Sequence, residues 1–263
     1  LQFSKTLASS PSVLAMFEND NGSYPPTTGT VILGEDQGGI DAQGVIQNIQ
    51  ILKQNANQGI AVARTEVDSL VRRLPLLLRT PDGWVPAYGT EVLKILAGAD
   101  TYVIKTNPNG LEEIRVRGLA PVPVDSLGRK WISWVDTPQT DLKEMKVEGK
   151  FVFVGFTAKG IMPQLATPAG LMEPHKIQAA LAESILIENS PYIPDYALAV
   201  EVLIFTLSVA LMWVVLNVFG ITSGIVLGTL ILALTAFSGL YLIRLGVLID
   251  VTWSLISQLL TGT

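Results

Sequence analysis

A turn near residue 155 carries the residue types that most resemble a phosphate-binding site. Gly155, Thr157, Lys159 and Gly160 lie at or just after the end of the apolar run Phe151–Gly155. A short apolar run of this kind predicts a buried strand, and the backbone N–H groups of a glycine-rich turn after a strand can bind an anion. We therefore take these four residues as candidate ligand-binding residues.

The spacing of this turn fails the tests for the known nucleotide-binding motifs. The P-loop motif requires a lysine directly after its second glycine, whereas Ile161 follows Gly160 in this chain. The stretch does not match the dinucleotide-binding pattern G-x-G-x-x-G either. Two interpretations stay open, namely a turn that holds an anion through its backbone amides and a turn that only ends a strand.

Other reactive side chains are sparse. His175 is the only histidine and there is no cysteine, which argues against a zinc site and excludes disulfides. The chain has no G-x-S-x-G motif, and His175 follows Pro174 at a predicted helix start, so we expect a surface or capping residue. Glu18, Asp20 and Asn21 lack the spacing of a calcium-binding loop. We predict no catalytic residue, no metal and no cofactor within these residues.

The distribution of charge divides the chain into two parts. The net charge of −5 gives no basic surface for nucleic acid, so we predict no nucleic-acid partner. Of the 18 Lys and Arg and 23 Asp and Glu residues, only Glu201, Arg244 and Asp250 lie after residue 195. This pattern predicts a polar domain, residues 1–190, joined by a linker, residues 191–196, to a membrane anchor.

Three apolar segments predict the anchor, and the lipid bilayer is then a partner. Residues 197–218 and 221–243 are each long enough to span about 33–35 Å at 1.5 Å per residue, which exceeds the hydrocarbon core of a bilayer. Residues 246–260 are fewer and contain Asp250, and we expect them to form a third crossing. The short connections predict an antiparallel bundle of three transmembrane helices.

The charged residues of the anchor are candidates for signal relay. Ionisable groups inside a membrane are costly and are functional candidates for that reason, which applies to Glu201, Arg244 and Asp250. Alternatively, Glu201 lies near the headgroups or caps a neighbouring helix, and Arg244 pairs with Asp250. The positive charge of Arg244 by itself favours a cytoplasmic location for the polar domain.

The polar domain has the pattern of an α/β or α+β fold with a mixed sheet. Turn residues between apolar runs predict hairpins, periodic apolar positions predict helices, and short apolar runs predict strands. The predicted hairpins are 74–86, 102–116 and 123–135; the helices are 89–100 and 174–189; the strands are Val13–Phe17, Ile60–Ala63 and Phe151–Gly155. The Gly, Pro, Asn and Asp content of residues 18–48 predicts long loops.

The order of these segments resembles the second type of CHASE domain, an extracellular sensory domain found before cyclases and histidine kinases. The similarity runs from about Val13 to the end of the chain. Its most specific parts are Asp68–Pro75 and Gly149–Pro168, followed by a helix, a proline-containing linker and the three apolar segments. Three departures stand out: Ser69 follows Asp68 where relatives usually have glycine, Met162–Gln164 replace a region that often has Asp, and Gln178–Ala179 replace His-Ala.

The resemblance implies a periplasmic domain on the inner membrane of a bacterium, against the indication from Arg244. It also implies a further span before residue 1 and an output domain after Thr263. The output in relatives is often a class III adenylate or guanylate cyclase, which requires a homodimer. A histidine or Ser/Thr kinase output is an alternative, and so is a non-catalytic subunit of a larger membrane complex. The extracellular signal or protein partner is not identified by the sequence.

Overall fold

The computed structural model describes residues 2–134, 137–140, 147–158, 163–188, 190–194, 196–219 and 221–262. The chain forms two compact units, Leu1–Ser190 and Pro191–Thr263, called unit 1 and unit 2 below.

Unit 1 contains thirteen strands and four helices among its described residues. In chain order, the strands are β1 Val13–Ser23, β2 Gly29–Leu33, β3 Val45–Ile46, β4 Asn57–Ile60, β5 Arg73–Pro75, β6 Leu77–Thr80, β7 Gly83–Pro86, β8 Thr101–Asn107, β9 Gly110–Val116, β10 Val122–Pro123, β11 Arg129–Trp131, β12 Leu165–Thr167 and β13 Gly170–Met172. The helices are α1 Gln2–Ala8, α2 Gln50–Lys53, α3 Tyr88–Leu96 and α4 Pro174–Leu186.

The strands form two main sheets, and both are mixed. One has the order β10-β9-β8-β2, in which only β8 and β2 are parallel. The other has the order β3-β1-β4, with β1 and β4 parallel. The remaining strands pair antiparallel as β5 with β11, β6 with β7, and β12 with β13. The predicted mixed α/β character of this part of the chain is confirmed.

Two of the predicted hairpins are confirmed, and turn chemistry explains both. Strands β8 and β9 meet at a turn in which Asn109 N donates to Asn107 Oδ1 at 2.8 Å and Gly110 has φ +128°. Strands β6 and β7 meet at Gly83, φ +139°, where Thr80 Oγ1 donates to the Gly83 carbonyl at 2.9 Å. The positive φ angles require glycine, as the sequence indicated.

Three predictions for unit 1 are wrong. The hairpin predicted for residues 123–135 is absent from the described part of that stretch, because β10 pairs with β9 and β11 pairs with β5. Residues 18–48 include the end of β1 and all of β2 and β3, rather than loops alone. Phe151–Gly155 is neither a strand nor buried, since four of its five residues are exposed and only Phe153 packs against the core.

The core of unit 1 has a larger and a smaller cluster. Alternate residues of β8 and β9 face α3 and α4 in the larger cluster, which includes Leu74, Leu76, Leu93, Tyr102, Ile104, Ile114, Ile177 and Leu181. The smaller cluster lies around β1 and β4 and includes Met16, Val45, Ile60, Val62, Leu78 and Val85. Full burial of one such side chain contributes about 1.5–3 kcal/mol, so these two clusters hold the sheets and helices together.

Unit 2 contains the helices α5 Ala197–Val218, α6 Ile221–Arg244 and α7 Thr252–Gly262. Only α5 and α6, among the described residues, are long and apolar enough to cross a membrane. The third predicted crossing is not confirmed, because α7 begins at Thr252 rather than Gly246 and has 11 residues. At 1.5 Å per residue it extends about 16 Å, roughly half the thickness of a hydrocarbon core.

Candidate functional site

The turn at Gly155 lies beside the start of α4. Gly155 and Thr157 are exposed to solvent, and Lys159 and Gly160 lie outside the described residues. The segment is anchored by Phe153, whose ring meets the ring of Tyr88 edge-on at 5.6 Å. The structure thus places two of the four predicted ligand-binding residues, Gly155 and Thr157. Both lie on the solvent side of the Phe153–Tyr88 contact.

Gly155 packs directly against the imidazole of His175. A Cβ atom at residue 155 would lie 2.1 Å from His175 Cγ, so only glycine allows this approach. His175 is half-buried, and this burial lowers its pKa below the ordinary value of a histidine, with the Glu173 charge opposing the shift and the Lys176 charge adding to it. The imidazole therefore favours its neutral form in the fold. In the sequence, the only indication of this close approach is the glycine at position 155.

Charged side chains surround the first turn of α4. Glu173 precedes the helix and accepts a hydrogen bond from Lys176 Nζ at 2.9 Å and another from Gln164 Nε2 at 3.1 Å. The lysine contact lowers the pKa of Glu173 to about 2. No hydroxyl or carboxylate hydrogen-bonds His175 within the described part of the chain, so these groups do not form a nucleophile–base pair.

An ion-pair network holds the segment around Arg73, which sequence reasoning did not single out as a site. Arg73 Nε donates to Glu66 Oε1 at 2.7 Å and its Nη1 to Asp125 Oδ2 at 3.0 Å. The guanidinium also lies 4.9 Å from the centroid of the Trp131 ring. Asp125 further accepts from Arg129 Nε at 2.8 Å. The network fixes β5 against β11, and the guanidinium charge of Arg73 is already paired with two carboxylates rather than free for an anionic ligand.

The turn before this network has a strained backbone. Ser69 has φ +65°, in the left-handed region that favours glycine. The preceding residue, Asp68, pairs with Arg72, and this contact lowers the pKa of the Asp68 carboxyl. Leu70 N also donates to Asp68 Oδ1 at 3.3 Å. Ser69 therefore holds a backbone conformation that glycine adopts without this strain.

A second polar cluster is buried beneath α3. Glu91 is 2% exposed and pairs with Lys94 Nζ at 2.8 Å. Its carboxylate also accepts from Asn57 Nδ2 at 2.7 Å and from Tyr102 Oη at 2.8 Å. Burial, together with the Glu91 charge, raises the pKa of Tyr102. Because the carboxylate is fully engaged, this cluster stabilises the α3–β8 contact rather than offering a binding group.

An open groove of about 620 Å³ lies near the start of unit 1. That size is typical of small-molecule sites. Its lining combines side chains of α1, the following serine-rich turn and α2, and includes Leu7, Ser9, Ser12, Lys53, Asn55 and Ile95. Hydroxyl, amide and ammonium groups of this kind suit a small polar ligand, so the groove is a second candidate site besides the Gly155 turn.

Two of the three candidate relay residues meet in unit 2. The carboxylate oxygen Oε1 of Glu201 accepts a hydrogen bond from the backbone N–H of Asp250 at 2.8 Å. Asp250 Oδ1 accepts in turn from the backbone N–H of Thr252 at 2.8 Å, at the first residue of α7. Arg244 is exposed and pairs with no carboxylate among the described residues. Glu201 thus connects α5 to the N-terminus of α7.

Comparison with known proteins decides the family. A family model described as the CHASE2 domain matches residues 1–219, which include all of unit 1 and helix α5. The chain belongs to the CHASE2 family. CHASE2 is an extracellular sensory domain of signalling receptors, and in this chain two helices of membrane-spanning length follow unit 1. No curated protein and no solved structure matches the chain.

The CHASE2 assignment changes how the two candidate sites are interpreted. In a sensory domain, a ligand needs to be bound and released rather than converted, so neither the neutral His175 nor the exposed Thr157 requires a reaction partner. No group of three or more His, Asp or Glu side chains in the described part of the chain is arranged to hold a metal ion. The groove and the Gly155 turn are therefore candidate places for a signal to bind.

Proposed function

We propose that this chain is the periplasmic sensory module, with its membrane anchor, of a bacterial receptor that regulates a cytoplasmic class III adenylate or guanylate cyclase. The observation that carries the proposal is the continuous CHASE2 match from unit 1 through α5. A sensory domain whose family match includes a membrane-length helix is built to pass a signal along the chain rather than to act alone. The cyclase is the output that relatives of this kind often carry, and its cytoplasmic location in this proposal requires a third crossing that begins with α7.

Helix α4 is the element that carries the signal toward the membrane in this proposal. Eight of its 13 residues are buried, so it moves with the core of unit 1 rather than independently. Only residues 187–196 separate its end from the start of α5, and they include Pro191 and Pro194, which stiffen the connection. A ligand that shifts α4 therefore shifts the entry to the first span.

Signal binding acts on α4 through one of the two candidate sites. The Gly155 turn touches α4 directly at His175, so an occupant there displaces the start of the helix. The groove instead acts through Asn57 in its lining, because Asn57 also hydrogen-bonds Glu91 of α3, and α3 packs on α4. A ligand changes the output only by its difference in affinity for the two states of the domain.

The receptor is a homodimer in this proposal. Class III cyclase sites are shared between two chains, so one sensory module on each chain is needed to bring the two catalytic domains together. The experiment is to prepare membranes with the full-length protein and measure conversion of ATP and GTP to cyclic nucleotides. Formation of cyclic AMP or cyclic GMP supports the proposal. Phosphorylation of the protein by ATP without cyclic nucleotide indicates a kinase output, and absence of both activities indicates a non-catalytic subunit.

A further inference from the structure

Strand β2 is an open edge of the main sheet. Its residues Gly29–Leu33 pair in parallel with β8 on one side. On the other side, no backbone group in the described part of the chain pairs with β2. Outward-pointing N–H and C=O groups along five residues are therefore available to another strand.

This edge lacks the features that protect sheet edges from pairing. It contains no charged residue and no proline, and Val31 and Leu33 are 48% and 53% exposed. The opposite edge of the same sheet, β10, is only two residues long and ends in Pro123, which cannot donate to a ladder. The contrast within one sheet indicates that β2 is open because it has a partner.

We propose that β2 is the homodimer interface of the sensory domain, where two copies pair antiparallel about a two-fold axis at Val31. The two four-stranded sheets then join into one sheet of eight strands. This inference names the surface that the dimeric receptor proposed above uses, and it rests on that proposal for its functional meaning.

The residues of β2 favour a second copy over an unrelated strand. With the axis at Val31, Gly29 lies opposite the partner's Leu33, so the larger side chain faces the smaller one. Thr30 lies opposite Ile32 in the same register, and both are half-buried on the inner face. An antiparallel pair of this length adds about four to six backbone hydrogen bonds. In this register β2 is complementary to itself and carries no charge, so a second copy of β2 fits it directly.

The outer face of the sheet extends this match across the axis. Val31 lies beside Val103 of β8, so the dimer places four valines in a row, two from each chain. Cross-strand pairs of β-branched residues contribute about 0.2–1 kcal/mol each. The edge alone makes a small interface, and membrane anchoring raises the effective concentration of the two copies.

Cysteine cross-linking tests this register, since the chain has no cysteine of its own. Directly opposed residues have Cα atoms about 4.5–5.5 Å apart, within the range of a disulfide. The two copies of Leu33 lie four positions apart, or about 13 Å. In membranes with the full-length protein, we expect Val31→Cys to give about tenfold more disulfide dimer on oxidation than Leu33→Cys. Equal cross-linking of both variants, or none of either, overturns the proposed pairing.

A charge substitution tests the same surface without oxidation. Val31→Lys places two lysines opposite each other at the axis, so we expect the dimer of the full-length protein in detergent to dissociate into monomers. Leu171→Lys is the matched control, because Leu171 is 67% exposed on β13, away from β2. A dimer that survives Val31→Lys contradicts the β2 interface. That result bears on the interface alone, whatever the output is. Absence of cyclic nucleotide formation by a protein that does cross-link through Val31→Cys argues against the proposed output alone.

Discussion

The side-chain oxygen of Gln178 accepts a hydrogen bond from the backbone N–H of Gly89 at 3.0 Å, inside the buried contact between α3 and α4. The amide nitrogen of the same side chain donates to the carbonyl of Val62 at 2.7 Å. A Cβ atom at residue 89 would lie 2.8 Å from the backbone carbonyl oxygen of Gln178. The close approach of α3 and α4 therefore requires glycine at this position. Gln178 therefore sets the position of α4 relative to α3.

Gln178→Leu should destabilise unit 1. The side chain is 1% exposed, and its loss leaves the Gly89 N–H and the Val62 carbonyl buried without partners. Each of the two orphaned groups costs about 1–3 kcal/mol, so we expect a loss of about 2–6 kcal/mol in the free energy of unfolding. Denaturant unfolding followed by tryptophan fluorescence measures the change. Gln54→Leu, at an exposed position of the turn after α2, is the control and should change stability little.

Ser69→Gly should stabilise the protein. An L-residue in the left-handed region costs about 1–2 kcal/mol, while glycine loses about 0.5–1 kcal/mol in chain entropy, so the net gain is about 0.5–1 kcal/mol. Ser69→Ala keeps the strained φ angle of +65° and should give no gain. Thermal unfolding of both variants measures whether only the glycine variant gains stability. A glycine variant no more stable than the alanine variant would show that the backbone is not strained at this turn.

His175 should make stability depend on pH below neutrality. Burial lowers its folded pKa below 6.5, so the unfolded chain binds the proton more tightly. Its contribution is therefore complete above about pH 6.5 and is lost as the pH falls toward the folded pKa. Because the chain has no other histidine, denaturant midpoints between pH 7 and 5 report mainly on this residue. His175→Gln should flatten the slope in this range, and an unchanged slope would assign it to other groups.

Local signals in the sequence predicted a large part of this structure. The successful signals each involve residues close together along the chain. They are the apolar composition of α5 and α6, the periodicity of α3 and α4, and the glycines of two hairpin turns. Each of these signals was sufficient because a helix or a tight turn is determined by neighbours along the chain. The resemblance to the CHASE2 family also rested on the order of such segments, and the family match confirmed it.

The features that the sequence did not predict depend on contacts between residues far apart along the chain. Residues 151–155 have the composition of a buried strand, but a strand exists only where another strand pairs with it, and no strand in the described part of the chain pairs with these residues. Strand β2 was hidden in a stretch rich in glycine and proline, because its partner β8 lies about seventy residues further along the chain. The ion pairs of Arg73 and the hydrogen bonds of Gln178 join residues distant in sequence in the same way.

The Glu201–Asp250 contact should influence signal output. Glu201→Gln keeps a side-chain oxygen that can accept from the Asp250 N–H, whereas Glu201→Leu removes the acceptor. Loss of a hydrogen bond to a charged acceptor costs about 1.5–3 kcal/mol, enough to change the packing of α5 against α7. We expect Glu201→Leu to change cyclic-nucleotide formation by the full-length protein several-fold and Glu201→Gln to change it little. Equal rates in all three proteins would remove Glu201 from the relay.

The side of the membrane on which unit 1 lies is the most direct test of the account. Single cysteines at Leu171, exposed in unit 1, and at Phe219, just after α5, are treated in intact cells with a maleimide that does not cross membranes. With unit 1 outside the cytoplasm, we expect Leu171→Cys to react equally in intact and permeabilised cells and Phe219→Cys to react only after permeabilisation. Reaction of Leu171→Cys only after permeabilisation would place unit 1 in the cytoplasm and contradict the extracytoplasmic sensor.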